Sequence, residues 1–403
     1  MKKYFALFFL AAGFAACAKD VVWEDFKDLS GWTDPKKNVS PAFSAVKGAG
    51  PAGTDAIKVT QPGSAVKAYT TFPVVPVSSW KKLYEGISFK VKGDGSDQWG
   101  CITVNGWGLA GGSFYFSVKN TDWQEYTVSF ADLAPVSDHV SELPGALSVY
   151  AFGGLRLGDR WAIGWNNAKI PNFSYMVADL RLQEKVNPRF QPGKLKPAPF
   201  AGIAKKMKNG QAVSIVCFGD SITAGTGLKN SKNEQYAVLI GDILRTHFKN
   251  DKITTRSVAV GGAHTIDLLG WLERDLSQGM PDIATILIGY NNRSGAQNPE
   301  VYRAQLEMWI ERLTVMTQGK TAIVLIPTVP GVPRFVAQDD YAKVTREIAA
   351  KYKLPVAPVD LKIKEIGPED YRKNYLCDSV HPNVAGHKMF AEVLAKTMID
   401  AAK

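Results

Sequence analysis

The pattern of apolar residues changes abruptly around residue 190 of this 403-residue chain, at a proline-rich stretch. Its prolines are Pro188, Pro192, Pro197 and Pro199. Because proline lacks a backbone N–H and fixes φ, neither a helix nor a central strand continues easily through such a stretch. We therefore predict a linker over residues 186–202, with one folded domain on each side, which suits a chain too long for a single core.

Residues 21–185 carry short runs in which apolar and polar residues alternate, separated by Gly, Asp, Asn and Pro. Alternation with a period of two is typical of half-buried strands. Strands are expected at 56–60, 86–91, 101–104, 113–118, 124–129, 147–152 and 174–182. Several short strands at this spacing predict an all-β sandwich or jelly roll.

Residues 203–403 alternate apolar runs with amphipathic ones, the pattern of a parallel sheet covered by helices on both faces. Strands are expected at 213–218, 254–260, 283–288, 322–326 and 355–359. Helices are expected at 234–248, 265–276, 300–316, 340–352 and 384–402. We therefore predict a three-layer, flavodoxin-like α/β domain, in which ligands bind outside the carboxyl ends of the strands.

Small and polar residues stand at the places where these strands end. Ser221 follows the first strand in a Gly-Asp-Ser turn, Gly262 ends a Gly-Gly pair after the second, and Asn291 follows the third in Gly-Tyr-Asn-Asn. Asp378 and His381 stand in Asp-Ser-Val-His, just before the last helix. Parallel strands end at one edge of a sheet, so these residues are expected to face a common site.

In this order the four blocks resemble the SGNH (GDSL-like) hydrolase family, whose blocks read Gly-Asp-Ser, then Gly, then Gly-x-Asn-Asp, then Asp-x-x-His. The resemblance covers roughly residues 213–400. It departs from the family at Asn292, where an Asp is usual, and this change bears on the support of the loop rather than on the reaction. His381 alone among the five histidines follows an acidic residue at the family's spacing.

The chemistry of acyl transfer gives each of these residues a role. A serine hydroxyl becomes nucleophilic when an imidazole accepts its proton, so Ser221 is the expected nucleophile and His381 the expected base. Asp378 is expected to accept from the other imidazole nitrogen. The oxyanion is expected to meet the N–H groups of Ser221 and Gly262 and the side chain of Asn291. No metal-binding or phosphate-binding motif accompanies them, so no cofactor is expected.

The substrate is expected to be an acylated polysaccharide or oligosaccharide. The β-domain opens on Phe26-x-x-Leu29-x-Gly31-Trp32 and closes on Val177-Ala178-Asp179-Leu180-Arg181-Leu182, and in these segments it resembles the jelly-roll modules found beside carbohydrate-active enzymes. Its many tryptophans suit the apolar faces of sugar rings. We expect an esterase that removes O-acetyl groups. The alternatives are a lipase, lysophospholipase or thioesterase, or an inactive glycan-binding protein of the cell surface. The net charge of +10 is scattered and no nucleic-acid motif accompanies it, so no nucleic-acid partner is expected.

The amino terminus predicts export. Lys2 and Lys3 precede an apolar run that ends at Ala16, which is short for a membrane span and typical of a secretory signal over residues 1–18. The sequence Phe-Ala-Ala-Cys resembles a bacterial lipobox, while Ala-Cys-Ala fits ordinary signal peptidase. We favour lipid attachment at Cys17, which places the protein in the bacterial cell envelope, with secretion as the alternative.

Overall fold

The fold is known from a computed structural model that describes residues 20–30, 32–33, 43–61, 68–70, 84–106, 111–136, 152–157, 164–332 and 335–403. The predicted signal segment with Cys17 lies outside these residues. Antiparallel β-sheets form the amino-terminal half, and a parallel sheet flanked by helices forms the carboxy-terminal half. Both halves therefore have the predicted fold class.

The described part of the amino-terminal half contains twelve strands in two sheets. They are β1 (Val21–Glu24), β2 (Trp32–Thr33), β3 (Phe43–Val46), β4 (Ala56–Gln61), β5 (Ala68–Thr70), β6 (Gly86–Gly93), β7 (Trp99–Gly106), β8 (Gly111–Ser117), β9 (Gln124–Ser129), β10 (Ala134–Pro135), β11 (Phe152–Leu157) and β12 (Phe173–Gln183). One sheet has the order β3-β4-β12-β6-β9, with β1 also paired to β12, and the other has the order β10-β8-β7-β11-β5-β2. Of the predicted strand 147–152, only Phe152 is described, and β11 begins there.

These two sheets enclose one apolar core. Ile57 of β4 and Phe89 of β6 come from the first sheet, and Ile102 of β7 and Phe116 of β8 come from the second. The rings of Phe89 and Phe116 meet edge to face, with their centroids 5.8 Å apart. Along β12, for example, Phe173, Tyr175 and Val177 are buried between the sheets and the residues between them are partly exposed, as the period-two pattern predicts.

The carboxy-terminal half contains the parallel strands β13 (Val213–Gly219), β14 (Ile253–Ser257), β15 (Ile283–Leu287) and β16 (Ala322–Ile326), in the order β14-β13-β15-β16. Its helices are α1 (Phe200–Lys208), α2 (Ser221–Ala224), α3 (Ser231–Glu234), α4 (Tyr236–Phe248), α5 (Thr265–Gly270), α6 (Leu272–Leu276), α7 (Tyr290–Ser294), α8 (Pro299–Met316), α9 (Asp339–Tyr352), α10 (Val359–Ile366), α11 (Pro368–Tyr375) and α12 (Val384–Ala401). Within the described residues, no helix combines the length and the apolar character needed to cross a bilayer.

Both faces of the parallel sheet are buried. Along β13, Ile215 and Cys217 join the apolar cluster on one face, and Val216 and Phe218 join the cluster on the other. A strand covered on both sides has no solvent-facing positions, which is why it reads as a continuous apolar run.

Among the described residues, three predicted elements differ from the structure by more than two residues at an end or in kind. The predicted strand 355–359 was wrong: only a single bridge joins Val356 to Leu325, since Pro355 and Pro358 lack the N–H that a ladder needs. The predicted strand 254–260 ends at Ser257. The predicted helix 265–276 is divided into α5 and α6 at Trp271.

The two halves pack against each other. Ala134 of β10 is buried in the same apolar cluster as Val216 and Phe218 of β13. The buried guanidinium of Arg312 donates to the carbonyl oxygen of Leu133 at 2.8 Å. Helix α1 begins inside the predicted linker, so ordered chain connects the two halves.

Candidate active site

The candidate site lies at the carboxyl edge of the parallel sheet, where β13 stands between β14 and β15. After β13 the chain turns to one face of the sheet, and after the neighbouring strands it turns to the other face. The crevice between these connections is where such folds bind ligands. Ser221 begins the short helix α2 immediately after β13. Asp220 caps this helix, since its Oδ1 accepts from the N–H of Ile222 at 3.0 Å.

The turn before Ser221 requires a glycine. A Cβ atom on Gly219 would lie 2.6 Å from the carbonyl oxygen of Leu287 on β15 and 2.1 Å from Oγ1 of Thr223. Both distances are far below van der Waals contact, so only glycine allows the chain to turn this close to the neighbouring strand.

Ser221, His381 and Asp378 are hydrogen-bonded in a row. Oγ of Ser221 lies 2.9 Å from Nε2 of His381, and Nδ1 of His381 lies 2.7 Å from Oδ2 of Asp378. The other carboxylate oxygen, Oδ1, accepts from the backbone N–H groups of Val380 and His381, each at 2.7 Å. The carboxylate therefore has a fixed orientation and directs one oxygen at the imidazole.

Hydrogen bonds keep Asp378 ionised. Burial alone would raise its pKa, but the backbone N–H and the ring of His381, together with the N–H of Val380, outweigh burial and hold the pKa below its ordinary value. A permanent negative charge beside Nδ1 stabilises an imidazolium.

A tight loop carries these two residues. Leu376 and Pro382 form an antiparallel bridge at its base, and the N–H of Cys377 donates to the carbonyl oxygen of His381 at 2.9 Å. This pairing closes the loop on itself, so the position of the imidazole does not depend on the next helix alone.

The glycine pair lies in a turn after β14. The N–H of Ala263 donates to the carbonyl oxygen of Val260 at 3.2 Å, and Gly262 has a φ of +79°, which favours glycine. Among the residues that the structure describes, no acceptor takes a hydrogen bond from the N–H of Ser221 or of Gly262. Two backbone donors thus remain for a ligand.

Asn291 joins the two turns. It follows Gly289, whose φ is +115°, and its Nδ2 donates to the carbonyl oxygen of Ala263 at 3.0 Å. The same nitrogen lies 3.5 Å from Oδ2 of Asp220. The amide is therefore placed between the glycine turn and the Ser221 turn.

Asn292, where the family usually has Asp, is fully buried and supports the loop. Its Oδ1 accepts from the N–H and the hydroxyl of Thr265 at 3.3 and 3.2 Å, and its Nδ2 donates to Oε1 of Gln297 at 2.8 Å. An amide offers both a donor and an acceptor, so Asn292 holds two segments together.

Asp220 is a buried acid beside this site. Burial raises its pKa to about 6, although the hydrogen bond from Ile222 and the charges of His381 and His264 act in the opposite direction. The side chain is thus ionised near neutral pH and protonated in mild acid.

The sequence reasoning missed Asn167, which comes from the amino-terminal half. Its Oδ1 accepts from the N–H of Gly261 at 2.7 Å, and its Nδ2 donates to Oγ1 of Thr226 at 2.8 Å. An Asn-Asn pair is common in turns, and no local signal in the sequence indicates a partner so distant along the chain.

Comparison with known proteins agrees with the fold of the carboxy-terminal half. The GDSL-like Lipase/Acylhydrolase family matches residues 217–389. An acetylxylan esterase of Geobacillus stearothermophilus is 23% identical over 209 residues, which are 47% of this chain and 95% of that protein.

Two solved structures are also similar. A crystal structure of the Geobacillus stearothermophilus acetylxylan esterase has 20% identity and a TM-score of 0.40, covering 46% of this chain and 94% of that one. An alpha/beta hydrolase from the metagenome of Lake Arreo, Spain, has 20% identity and a TM-score of 0.40, covering 48% and 99%. From the family match and the parallel sheet, the carboxy-terminal half of this chain is an SGNH (GDSL-like) hydrolase domain.

Proposed function

We propose that this chain is a serine esterase that hydrolyses O-acetyl esters on a polysaccharide, with Ser221 as the nucleophile. The observation that carries the proposal is the unbroken row of hydrogen bonds from Oγ of Ser221 through the ring of His381 to Asp378. Such a row activates a hydroxyl for attack on an ester.

Acylation begins when Oγ of Ser221 attacks the acetyl carbonyl carbon and Nε2 of His381 takes the hydroxyl proton. The carbonyl electrons move to oxygen, and the N–H groups of Ser221 and Gly262 and the amide of Asn291 stabilise the oxyanion. When the intermediate collapses, the bond to the sugar oxygen breaks. That oxygen takes the proton from His381 and leaves as a free hydroxyl group.

Deacylation repeats these steps with water. Nε2 of His381 accepts a proton from water, whose oxygen attacks the acetyl-serine carbonyl carbon. Collapse returns the proton to Oγ of Ser221 and releases acetate. Before each proton transfer, Asp378 keeps the neutral imidazole in the tautomer whose Nε2 accepts, and it stabilises the imidazolium while His381 holds the proton.

Two observations support an acetylated glycan as the substrate. The first is the similarity to an acetylxylan esterase, 23% identical over 209 residues. The second is a cavity of about 500 Å³ where the two halves meet, which is lined by Trp99, Tyr115 and Trp165 but by none of the proposed catalytic residues, so it would hold a part of the glycan away from the ester. Planar rings of this kind suit the apolar faces of sugars.

We also propose that the protein is exported and carries lipid on Cys17, on the strength of the apolar run and the small residues before it. Intact-mass measurement of membrane-extracted protein tests this. A mature protein that begins at Lys19 and carries no lipid would contradict it.

Acetate release from a panel of acetylated polysaccharides tests the proposed activity, with Ser221→Ala as the control. We expect release by the wild type only, and faster hydrolysis of 4-nitrophenyl acetate than of the octanoate. Preference for octanoate would favour the lipase alternative. A folded wild type that hydrolyses no ester would favour the glycan-binding alternative.

A further inference from the structure

A tight turn, Trp165–Asn167, extends from the amino-terminal half onto the rim of the candidate active site. The indole N–H of Trp165 donates to Oδ1 of the buried Asp275 at 2.7 Å. The backbone N–H of Asn166 donates to the carbonyl oxygen of Ala259 at 2.7 Å. Both bonds cross between the two halves of the chain, so the turn is fixed on the hydrolase domain.

Asn167 spans the two sides of the site. One end of its amide accepts from Gly261, in the turn that leads to Gly262, and the other end donates to Thr226, in the loop after Ser221. Both hydrogen bonds, at 2.7 and 2.8 Å, have the donor–acceptor distance of a well-formed hydrogen bond. One side chain therefore sets the separation between the glycine turn and the Ser221 loop.

This contact also explains the glycine pair. A Cβ atom on Gly261 would lie 2.7 Å from Oδ1 of Asn167, so the side chain of Asn167 takes the space that a larger residue would need. Gly262 is required for a different reason, its positive φ of +79°. The two glycines thus serve two separate requirements, and the first exists because of Asn167.

The turn holds an unfavourable backbone conformation. Asn166 and Asn167 have φ values of +53° and +60°, in the left-handed region that asparagine tolerates better than most residues. Two such residues in succession persist only where the surrounding contacts hold them, and the bonds to Ala259, Gly261 and Thr226 do so.

We infer that Asn167 is a positioning residue for the oxyanion site, so that the amino-terminal half completes the active site of the hydrolase domain. The inference rests on the proposed function. By engaging the N–H of Gly261, Asn167 prevents the turn from rotating and keeps the N–H of Gly262 directed at the oxyanion. Small displacements of such donors lower the rate without weakening substrate binding.

Two matched variants test this inference. Asn167→Gly and Asn166→Gly each remove one side-chain amide from the same turn, and glycine keeps the positive φ without strain. With 4-nitrophenyl acetate, which carries no sugar, Asn167→Gly is expected to lower kcat by about 10- to 100-fold with KM nearly unchanged. Asn166→Gly is expected to keep kcat within about twofold of the wild type.

A conservative variant distinguishes positioning from folding. Asn167→Asp keeps the acceptor for the N–H of Gly261 and is expected to recover most of the lost kcat, while melting temperatures report the stability of each variant. Equal kcat losses in the two glycine variants would overturn the inference. The inference would also be overturned if Asn167→Gly kept the wild-type kcat and differed from the wild type only in a raised KM for acetylated glycan. A wild type without esterase activity would instead refute the proposed function.

Discussion

Replacing Asp378 by Asn probes the row of hydrogen bonds more sharply than deleting the side chain does. Oδ1 of Asp378 accepts from the N–H groups of Val380 and His381 at 2.7 Å each. The amide oxygen of Asn must take this place, since the opposite orientation would set its NH₂ group against two donors. The amide nitrogen therefore faces Nδ1 of His381.

This orientation of the amide reverses the tautomer of the His381 imidazole. Nδ1 of His381 must then accept, so the ring proton moves to Nε2, which lies 2.9 Å from Oγ of Ser221. Nε2 donates to the hydroxyl instead of accepting from it, and the imidazolium also loses its negative partner. We expect kcat to fall by about 10³- to 10⁴-fold, or roughly 4 to 5.5 kcal/mol of transition-state stabilisation.

The assay is steady-state hydrolysis of 4-nitrophenyl acetate, with urea unfolding as a check on folding. Asp378→Asn keeps the backbone acceptor, so its free energy of unfolding is expected to stay within about 1 kcal/mol of the wild type. Ser379→Ala, an exposed change in the same loop, is the matched control and is expected to keep normal kcat. If Asp378→Asn kept more than about a tenth of the wild-type kcat, the tautomer argument would be refuted.

Three further predictions follow from the site. Asn291→Ala is expected to lower kcat for 4-nitrophenyl acetate by about 100- to 1,000-fold with little change in KM, because its hydrogen bond strengthens as charge develops; an effect on KM alone would contradict this role. Burial raises the pKa of Asp220 from 3.8 to about 6. The protonated side chain therefore stabilises the fold; this contribution is complete below pH 3.8 and is lost as the pH rises through 6. Relative to Asp220→Asn, the free energy of unfolding of the wild type should fall by about 2.5 kcal/mol between about pH 4 and about pH 8 in urea titrations, and parallel pH profiles would contradict the argument. Gly219→Ala is expected to destabilise the fold by about 1–3 kcal/mol because its Cβ atom would meet the neighbouring strand. Gly202→Ala, where a Cβ atom on α1 would meet nothing, is expected to stabilise the fold by about 0.5–1 kcal/mol. Similar unfolding midpoints for the two variants would show that Gly219 is not crowded.

Periodicity in the sequence predicted much of the fold because burial determines it. Residues 215–218 of β13 lie between two helical layers and are therefore all apolar, and strand 124–129 alternates because one face meets the sandwich core. The four blocks at the strand ends were visible because the parallel sheet brings its carboxyl ends to one edge. Hydrogen bonds do join Ser221, His381 and Asp378, while their catalytic roles stay predictions until variants are measured.

What the sequence did not reveal depends on contacts between distant segments. Helix α5 ends at Gly270, where a Cβ atom would lie 2.9 Å from the ring of Tyr115 in the other half. Asn167 reaches Gly261 from the other half in the same way. Neither contact changes the periodicity of the residues around it, so the pattern of neighbouring residues does not indicate the distant partner.

Labelling with a fluorophosphonate, which reacts irreversibly with activated serine hydroxyls, tests the central claim most directly. Peptide mass mapping of the labelled wild type locates the modified residue, and residual esterase activity is followed in parallel. We predict one label on Ser221, in proportion to the activity lost, and no such label in Ser221→Ala or His381→Ala. Loss of activity with Ser221 unlabelled, or full esterase activity in Ser221→Ala, would contradict the account.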